Sequence, residues 1–400
     1  MITETNDRQG PRPLALHAFA AWRAYLLAAT IPNAPEGSDL ESIVIEKLGH
    51  SPDERLALTA AVLSETCNRW SGFWSGVAKY RSHAFKRPSG HQQVVWQNGQ
   101  TSILDFAPES KGSPIIAIPS LINNADVLDL LPGRSLMQAL AEAGFRPFLV
   151  SWGNPEPDAM DWPIDRYVKD RLIPGLTHIL ELTGKPPILM GYCMGGLLAA
   201  AMAAIRPNET KGLALLATPW NFHAPSPKVA ASISDLSPWF AEASAKSGSV
   251  PTDIIQTLFI ALDPTLAARK FRHFSELDQT SDEAQLFIAM EDWVNSGPDL
   301  AWPVAQTVLE DWYGSNLPHE GRWKVCDKVI KPSSISGPIL VASPSNDRIV
   351  PPTSSRAFAQ SANNAELLDV QAGHVGMIVG SRSKTGLWSP LIEWLRQQTD

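Results

Sequence analysis

Hydrophobic and polar positions fall into three regimes along the 400 residues. Up to about residue 87 the apolar positions recur at helical spacing. Leu14 to Thr30 is apolar apart from His17 and Arg23, Asp39 to Leu48 forms a second helical pattern, and Ser51 opens a third. Ser51 is followed by Pro52 and by Glu54 three residues on, which predicts an N-cap with proline at the first helical position and a capping box. This third helix is predicted to reach about Tyr80, with Leu56, Val62, Leu63, Trp70, Phe73, Trp74 and Val77 largely on one side. Met1 to Pro13 is polar and contains proline and glycine, and is expected to be disordered.

The second regime starts near Gln92. Val94 to Gln97 and Thr101 to Phe106 flank Asn98-Gly99, a hairpin signal. Short apolar runs then alternate with helical patterns. The runs at Ile115–Ile118, Pro147–Ser151, Pro187–Met190 and Gly212–Ala217 read as strands; Ser135–Ala143, Ile164–Leu182 and Met194–Ile205 read as helices. Such alternation predicts a parallel sheet covered on both faces. From Trp220 to about Lys331 the pattern changes to helical, Trp-rich and loop-broken sequence. Alternation resumes with strands at Pro338–Ser343 and Glu366–Val370 and helices at Ser354–Gln360 and Leu387–Arg396. The predicted organisation is an N-terminal helical extension (1–87), an α/β core (88–219 and 332–400) and a helical insertion (220–331).

Composition narrows the function classes. A net charge of −8 without a basic run excludes a typical nucleic-acid binder. Cys67, Cys193 and Cys326 are too few and too scattered for a disulfide framework or a zinc site, so a reducing, cytoplasmic setting and no metal are expected. His17 and Arg23 argue against a signal peptide or membrane span at Leu14–Thr30; a helix packed on the core is expected there, with an interfacial amphipathic helix as the alternative.

The chemistry centres on Gly191-Tyr192-Cys193-Met194-Gly195-Gly196, which follows the apolar run Ile188–Met190 and precedes an alanine-rich helix. This is the G-x-nucleophile-x-G form of a nucleophile elbow, with cysteine in place of serine. Small neighbours would let the helix pack close to the strand, and the helix N-terminus would favour a thiolate. An acid and a histidine follow in the order that an α/β-hydrolase expects. Asp347 lies just past the strand Pro338–Ser343, and His374 lies in the loop after Glu366–Val370. Taken singly, Asp347 could be a turn residue and His374 a loop histidine. The three together predict a Cys193–His374–Asp347 triad. The N–H of Met194 would then be one oxyanion donor, and a second would come from the loop after Ile115–Ile118, at Leu121 or Ile122 (Ser120 being the other loop position). A cysteine also suits acyl transfer from a thioester, because thiol exchange is close to thermoneutral and keeps the acyl group activated.

These and other blocks resemble polyhydroxyalkanoate (PHA) synthases, within the α/β-hydrolase superfamily, and especially the class whose short catalytic subunit works with a separate partner protein. The matching stretches are Pro119–Asn123 with Val127–Leu130 and Arg134–Leu136, Phe148–Pro155, Gly191–Gly196, Met290–Trp293 with Pro298-Asp299, Tyr313–Leu317, Asn346–Pro352 and Gly373–Gly376. The resemblance implies an α/β-hydrolase fold with a helical cap, and ping-pong transfer of an (R)-3-hydroxyacyl group from its CoA thioester through Cys193 to a growing polyester. No cofactor beyond that thioester is implied. Asn123, Trp220 and Trp293 are the candidate substrate contacts, although tryptophans of the insertion also suit a cap core. A helical partner subunit, a homodimer formed through the cap and attachment to the PHA granule surface are further implications. A hydrolase with the same triad, either a thioesterase or an intracellular depolymerase, is the alternative. One segment departs from the family: Asn124-Ala125-Asp126 stands where an aromatic residue is usual, placing a charge near a channel meant for an apolar chain.

Overall fold

The computed structural model describes residues 8–30, 51–88, 90, 92–224 and 226–399. The predicted helix Asp39–Leu48 lies outside them. The chain divides into two compact units, one of residues 87–255 and 296–400, the other of residues 1–86 and 256–295.

The larger unit is built on an eight-stranded sheet. Its strands are β1 (Gln93–Asn98), β2 (Thr101–Asp105), β3 (Pro114–Ile118), β4 (Arg146–Ser151), β5 (Ile188–Tyr192), β6 (Gly212–Leu216), β7 (Ile339–Pro344) and β8 (Ala365–Val370). They lie in the order β1-β2-β4-β3-β5-β6-β7-β8. The β1–β2 hairpin turns at Gly99, whose φ of 58° suits the Asn-Gly signal. β2 pairs antiparallel with β4, and every pairing from β4 onward is parallel. β3, β5, β6 and β7 are buried along their whole length, which is why they read as unbroken apolar runs rather than alternating ones. Each predicted strand lies within a residue or two of its observed bounds. The predicted helix Ile164–Leu182 is observed as Ile164–Thr183, with a wide π-type turn over Val168–Leu172. Pro174 cannot donate the α-type bond of its own N–H, so the ladder has reason to widen there.

The smaller unit has no sheet among its described residues. The helix Pro52–Ser82 starts with the predicted capping box: Ser51 Oγ accepts from the Glu54 N–H at 3.2 Å and Glu54 Oε2 from the Ser51 N–H at 3.1 Å. Its C-terminal half buries Phe73, Val77 and Tyr80 against Ala267, Ala268, Phe271 and Phe274 of the helix Leu266–Glu276 and Ile288 of the helix Asp282–Asn295. Gly76 permits the close approach, since a Cβ there would lie 1.9 Å from the Phe271 carbonyl oxygen. Phe274 and Phe287 stack at 4.3 Å, and Phe73 and Tyr80 meet Phe271 edge-on.

Three expectations change here. Residues 256–295, read as part of one insertion at 220–331, share a core with the N-terminal helices. The apolar stripe of the long helix is only half used, because Leu56 and Leu63 are 71% and 49% exposed. Residues 8–13 are held rather than disordered. The Arg8 guanidinium pairs with Asp292 at 2.7 Å and donates to the His83 carbonyl at 2.6 Å, and the Arg12 N–H donates to Asn295 Oδ1 at 2.8 Å. Hydrogen bonds to acceptors far away in sequence supply the order that local composition does not.

Candidate active site

β5 ends at Tyr192 and the helix Gly195–Ile205 begins almost at once. Cys193, between them, has a φ of 54°, a left-handed conformation that non-glycine residues rarely adopt. Its N–H donates to the Leu216 carbonyl at 2.9 Å, tying the turn to the end of β6. The glycines are a steric requirement. A Cβ on Gly191 would lie 2.3 Å from Gly196 Cα, one on Gly195 2.1 Å from the Ile118 carbonyl oxygen, and one on Gly196 1.8 Å from Thr218 Oγ1. The helix therefore starts in direct contact with the ends of β3, β5 and β6. The N-terminal end of the helix, where the backbone dipole is positive, adjoins Cys193, and the N–H groups of Gly196 and Leu197 close onto the Cys193 and Met194 carbonyls at 3.0 Å each.

Asp347 follows β7 and His374 follows β8, and the structure brings both to Cys193. Asp347 Oδ2 accepts from His374 Nδ1 at 2.6 Å, while Oδ1 accepts the N–H groups of Ile349 and Val350 at 2.8 and 2.9 Å. Both carboxylate oxygens are thus engaged by donors, as an ionised carboxylate requires in a buried position. Burial alone would depress the His374 imidazolium. The charge of the Cys193 sulfur outweighs it, together with hydrogen bonds to Asp347 and Cys193, and His374 is raised to about 10 from its ordinary 6.5. His374 thus lies between the Cys193 sulfur and the Asp347 carboxylate, surroundings that favour its charged form.

Gly195 sets the start of the helix against Pro119, the first residue of the loop after β3. Of the positions expected to give the second donor, Ile122 is engaged: its N–H donates to Ser120 Oγ at 3.1 Å. Neither the Ser120 nor the Leu121 N–H has an acceptor among the described residues, and both stay candidates.

The substrate-contact candidates fare differently. Trp220 is sealed in the core, 1% exposed, between Phe358 at 4.8 Å and Trp323 at 6.3 Å. Packed in this way the Trp220 indole forms part of the core, the other role expected of the insertion's tryptophans. Trp293 is buried in the smaller unit. Asn123 lies next to the Leu121 loop, with its Oδ1 buried against Gly297 and no hydrogen-bond partner among the described residues. Asp126 does not stand in an apolar channel uncompensated. It pairs with Arg87 at 2.5 Å, both side chains partly exposed.

Two tyrosines were missed. The Tyr192 ring lies 5.2 Å from that of His374, and its hydroxyl donates to the His374 carbonyl at 3.3 Å. Burial pushes the Tyr313 phenol up to about 12, and the charge of the Cys193 sulfur adds to the shift, so Tyr313 lies within electrostatic reach of the nucleophile position. Its chain is fastened by His223 Nε2 against the Tyr313 carbonyl at 2.8 Å and by Asn316, which bonds Asn221 Oδ1 and the Phe222 N–H at 2.9 Å each. The Tyr313–Leu317 block was the signal that could have found it.

Sheet order, elbow and the positions of the acid and histidine define an α/β hydrolase. Residues 114–381 match the model of the alpha/beta hydrolase fold family, and the chain belongs to that family. Within it, the chain is similar to proteins named poly(3-hydroxyalkanoate) polymerase subunit PhaC. That of Haloferax mediterranei is 27% identical over 317 residues, which cover 77% of this chain and 64% of that protein. That of Allochromatium vinosum is 23% identical over 296 residues, covering 73% and 83%, and that of Synechocystis 25% over 324 residues, covering 77% and 84%. The chain thus spans just under two thirds of the Haloferax protein's length. The structure is also similar to a thermophilic esterase from Thermogutta terrifontis, with a TM-score of 0.50 and 17% identity, covering 78% of this chain and 100% of that one. At that identity the likeness concerns the fold alone.

Proposed function

We propose that this chain is an acyltransferase of the PHA synthase type, using Cys193, His374 and Asp347 as a catalytic triad. The observation that carries the reading is a cysteine at a strained elbow, facing a histidine that a buried carboxylate holds. The similarity to PhaC proteins supports the choice of an (R)-3-hydroxyacyl-CoA as acyl donor.

In the first half-reaction the Cys193 thiolate attacks the thioester carbonyl. The N–H groups of Met194 and Leu121 hold the oxyanion. The carbon–sulfur bond to CoA then breaks, and the CoA thiolate leaves with the proton of the His374 imidazolium. In the second, the hydroxyl at the end of a growing polyester, or of another hydroxyacyl unit, attacks the acyl-Cys193 thioester. His374 takes the hydroxyl proton, and collapse of the intermediate forms the oxoester and releases the thiolate. Asp347 fixes the His374 tautomer and stabilises its charge throughout. This scheme asks for no metal or cofactor. Asn123 remains the candidate substrate contact. The relatives are named as subunits, and a helical partner chain, a homodimer and a granule-surface site in the cytoplasm belong to the same proposal. No described helix is long and apolar enough to cross a membrane.

The alternative is a hydrolase with the same triad, to which the departure at Asn124-Ala125-Asp126 gives weight; the Asp126 charge there is paired with Arg87. The test is product analysis with (R)-3-hydroxybutyryl-CoA, with and without a candidate helical partner chain. CoA release together with polymer is expected. CoA release with free 3-hydroxybutyrate as the sole acyl product would make the chain a thioesterase.

A further inference from the structure

We propose that Trp152 and Ser120 are positioning residues that hold the Leu121 N–H toward the reacting carbonyl. The inference rests on the acyl-transfer reading above and deepens it.

The loop after β3 is fixed on both sides of Leu121. On one side, the buried indole of Trp152 donates through Nε1 to the Pro119 carbonyl at 3.1 Å. That same carbonyl oxygen lies where a Cβ on Gly195 would come within 2.5 Å. The Pro119–Ser120 peptide is therefore wedged between the start of the nucleophile's helix and the Trp152 ring. Trp152 is itself anchored: its carbonyl accepts from Thr101 Oγ1 at 3.3 Å, and its ring meets Tyr167 edge-on at 5.9 Å. On the other side, Ser120 Oγ takes the Ile122 N–H at 3.1 Å and closes a tight turn across Leu121. These bonds fix the Pro119 carbonyl and the Ile122 N–H, and the Leu121 N–H between them has no acceptor among the described residues.

Packing does not do this alone. A cavity of about 30 Å³ opens beside the loop, lined by Leu121 and Trp152 together with Gln100, Arg171 and Asp299. Leu121 borders open space on that side, and the two hydrogen bonds constrain the backbone around it. Oxyanion donors act by being aimed beforehand, so a small misplacement costs rate without costing fold.

The test uses the full chain and p-nitrophenyl acetate, which reports acylation of Cys193 as a burst of p-nitrophenolate and does not depend on polymerisation. The variants are Trp152→Phe, which keeps an aromatic ring but removes the donor, Ser120→Ala, which removes the acceptor, and Ser120→Thr, which keeps it. Each removes or preserves one bond flanking a single oxyanion donor, so Trp152→Phe and Ser120→Ala should slow the burst by about 10- to 100-fold. Ser120→Thr should restore most of the rate. Alkylation of Cys193 by iodoacetamide forms no oxyanion and should stay within about twofold of the parent in all three, an effect too small to signal lost transition-state stabilisation. Equal bursts in the parent, Trp152→Phe and Ser120→Ala would overturn the inference, as would a parallel fall in alkylation, which marks a structural role. A parent chain with no Cys193-dependent burst would overturn the acyl-transfer reading and this inference together.

Discussion

The two units bury their apolar residues in different ways. In the larger one, neighbouring strands such as β5 and β6 lie within about thirty residues of each other, and each is an apolar run that announces itself. In the smaller one, Phe73 packs on Phe271 and Tyr80 on Phe287, partners some two hundred residues apart. The larger unit also stores strain at Cys193 and Ala217, with φ of 54° and 49°, whereas none of its non-glycine positive-φ residues has a counterpart among the described residues of the smaller one. The candidate active site lies in the strained, sheet-built unit, and the helical unit holds an aromatic core with no comparable backbone distortion among its described residues.

That contrast can be broken by mutation. The largest effect is expected from Cys193→Ala, which should lower CoA release by at least about 10³-fold while leaving the thermal midpoint nearly unchanged. A large drop in that midpoint would mean the thiol is structural. Phe271→Ala should destabilise the helical core by about 3–5 kcal/mol. Hydrogen exchange is the measurement: amides of Pro52–Ser82 and Leu266–Glu276 should lose protection while those of β5 keep theirs. Loss of protection in both would show that the two cores do not behave separately. Arg8→Ala should cost about 1–2 kcal/mol, because its ion pair with Asp292 is only partly shielded from solvent. Chemical denaturation would detect it, and no change would return residues 8–13 to the status of a loose tail.

The smallest and most specific effect concerns pH. Because His374 is raised from 6.5 to about 10, the stability it contributes is full below pH 6.5 and is lost as the pH rises through about 10. The Cys193 charge is the leading cause of the rise, so Cys193→Ala should lower the His374 titration, read by NMR of the imidazole. An unchanged titration would mean that Asp347 alone sets it.

How much of this was legible follows from the same contrast. Strand positions and the order of Cys193, Asp347 and His374 could be read because a buried parallel strand and a sharp Gly-rich turn leave local marks. The pairing of the N-terminal helices with residues 266–295 left none, since an aromatic on a helix face does not name its partner. Ser120, Leu121 and Ile122 were indistinguishable as donors in sequence; that the Ser120 hydroxyl engages the Ile122 N–H is visible only in the loop conformation. Tryptophans of the insertion suited either a cap core or substrate contact, and sequence could not show that the Trp220 indole packs between Trp323 and Phe358. Asp126 looked misplaced because Arg87, its partner, lies outside the block that made it look so.

The central claim is a covalent acyl group on Cys193. Mass spectrometry of the peptide containing Cys193, after brief incubation with (R)-3-hydroxybutyryl-CoA and acid quench, tests it most directly. The predicted result is a 3-hydroxybutyryl thioester on that peptide, absent in Cys193→Ala. Release of CoA by the parent chain with the adduct on Cys67 or Cys326, or with Cys193→Ala equally active, would contradict it.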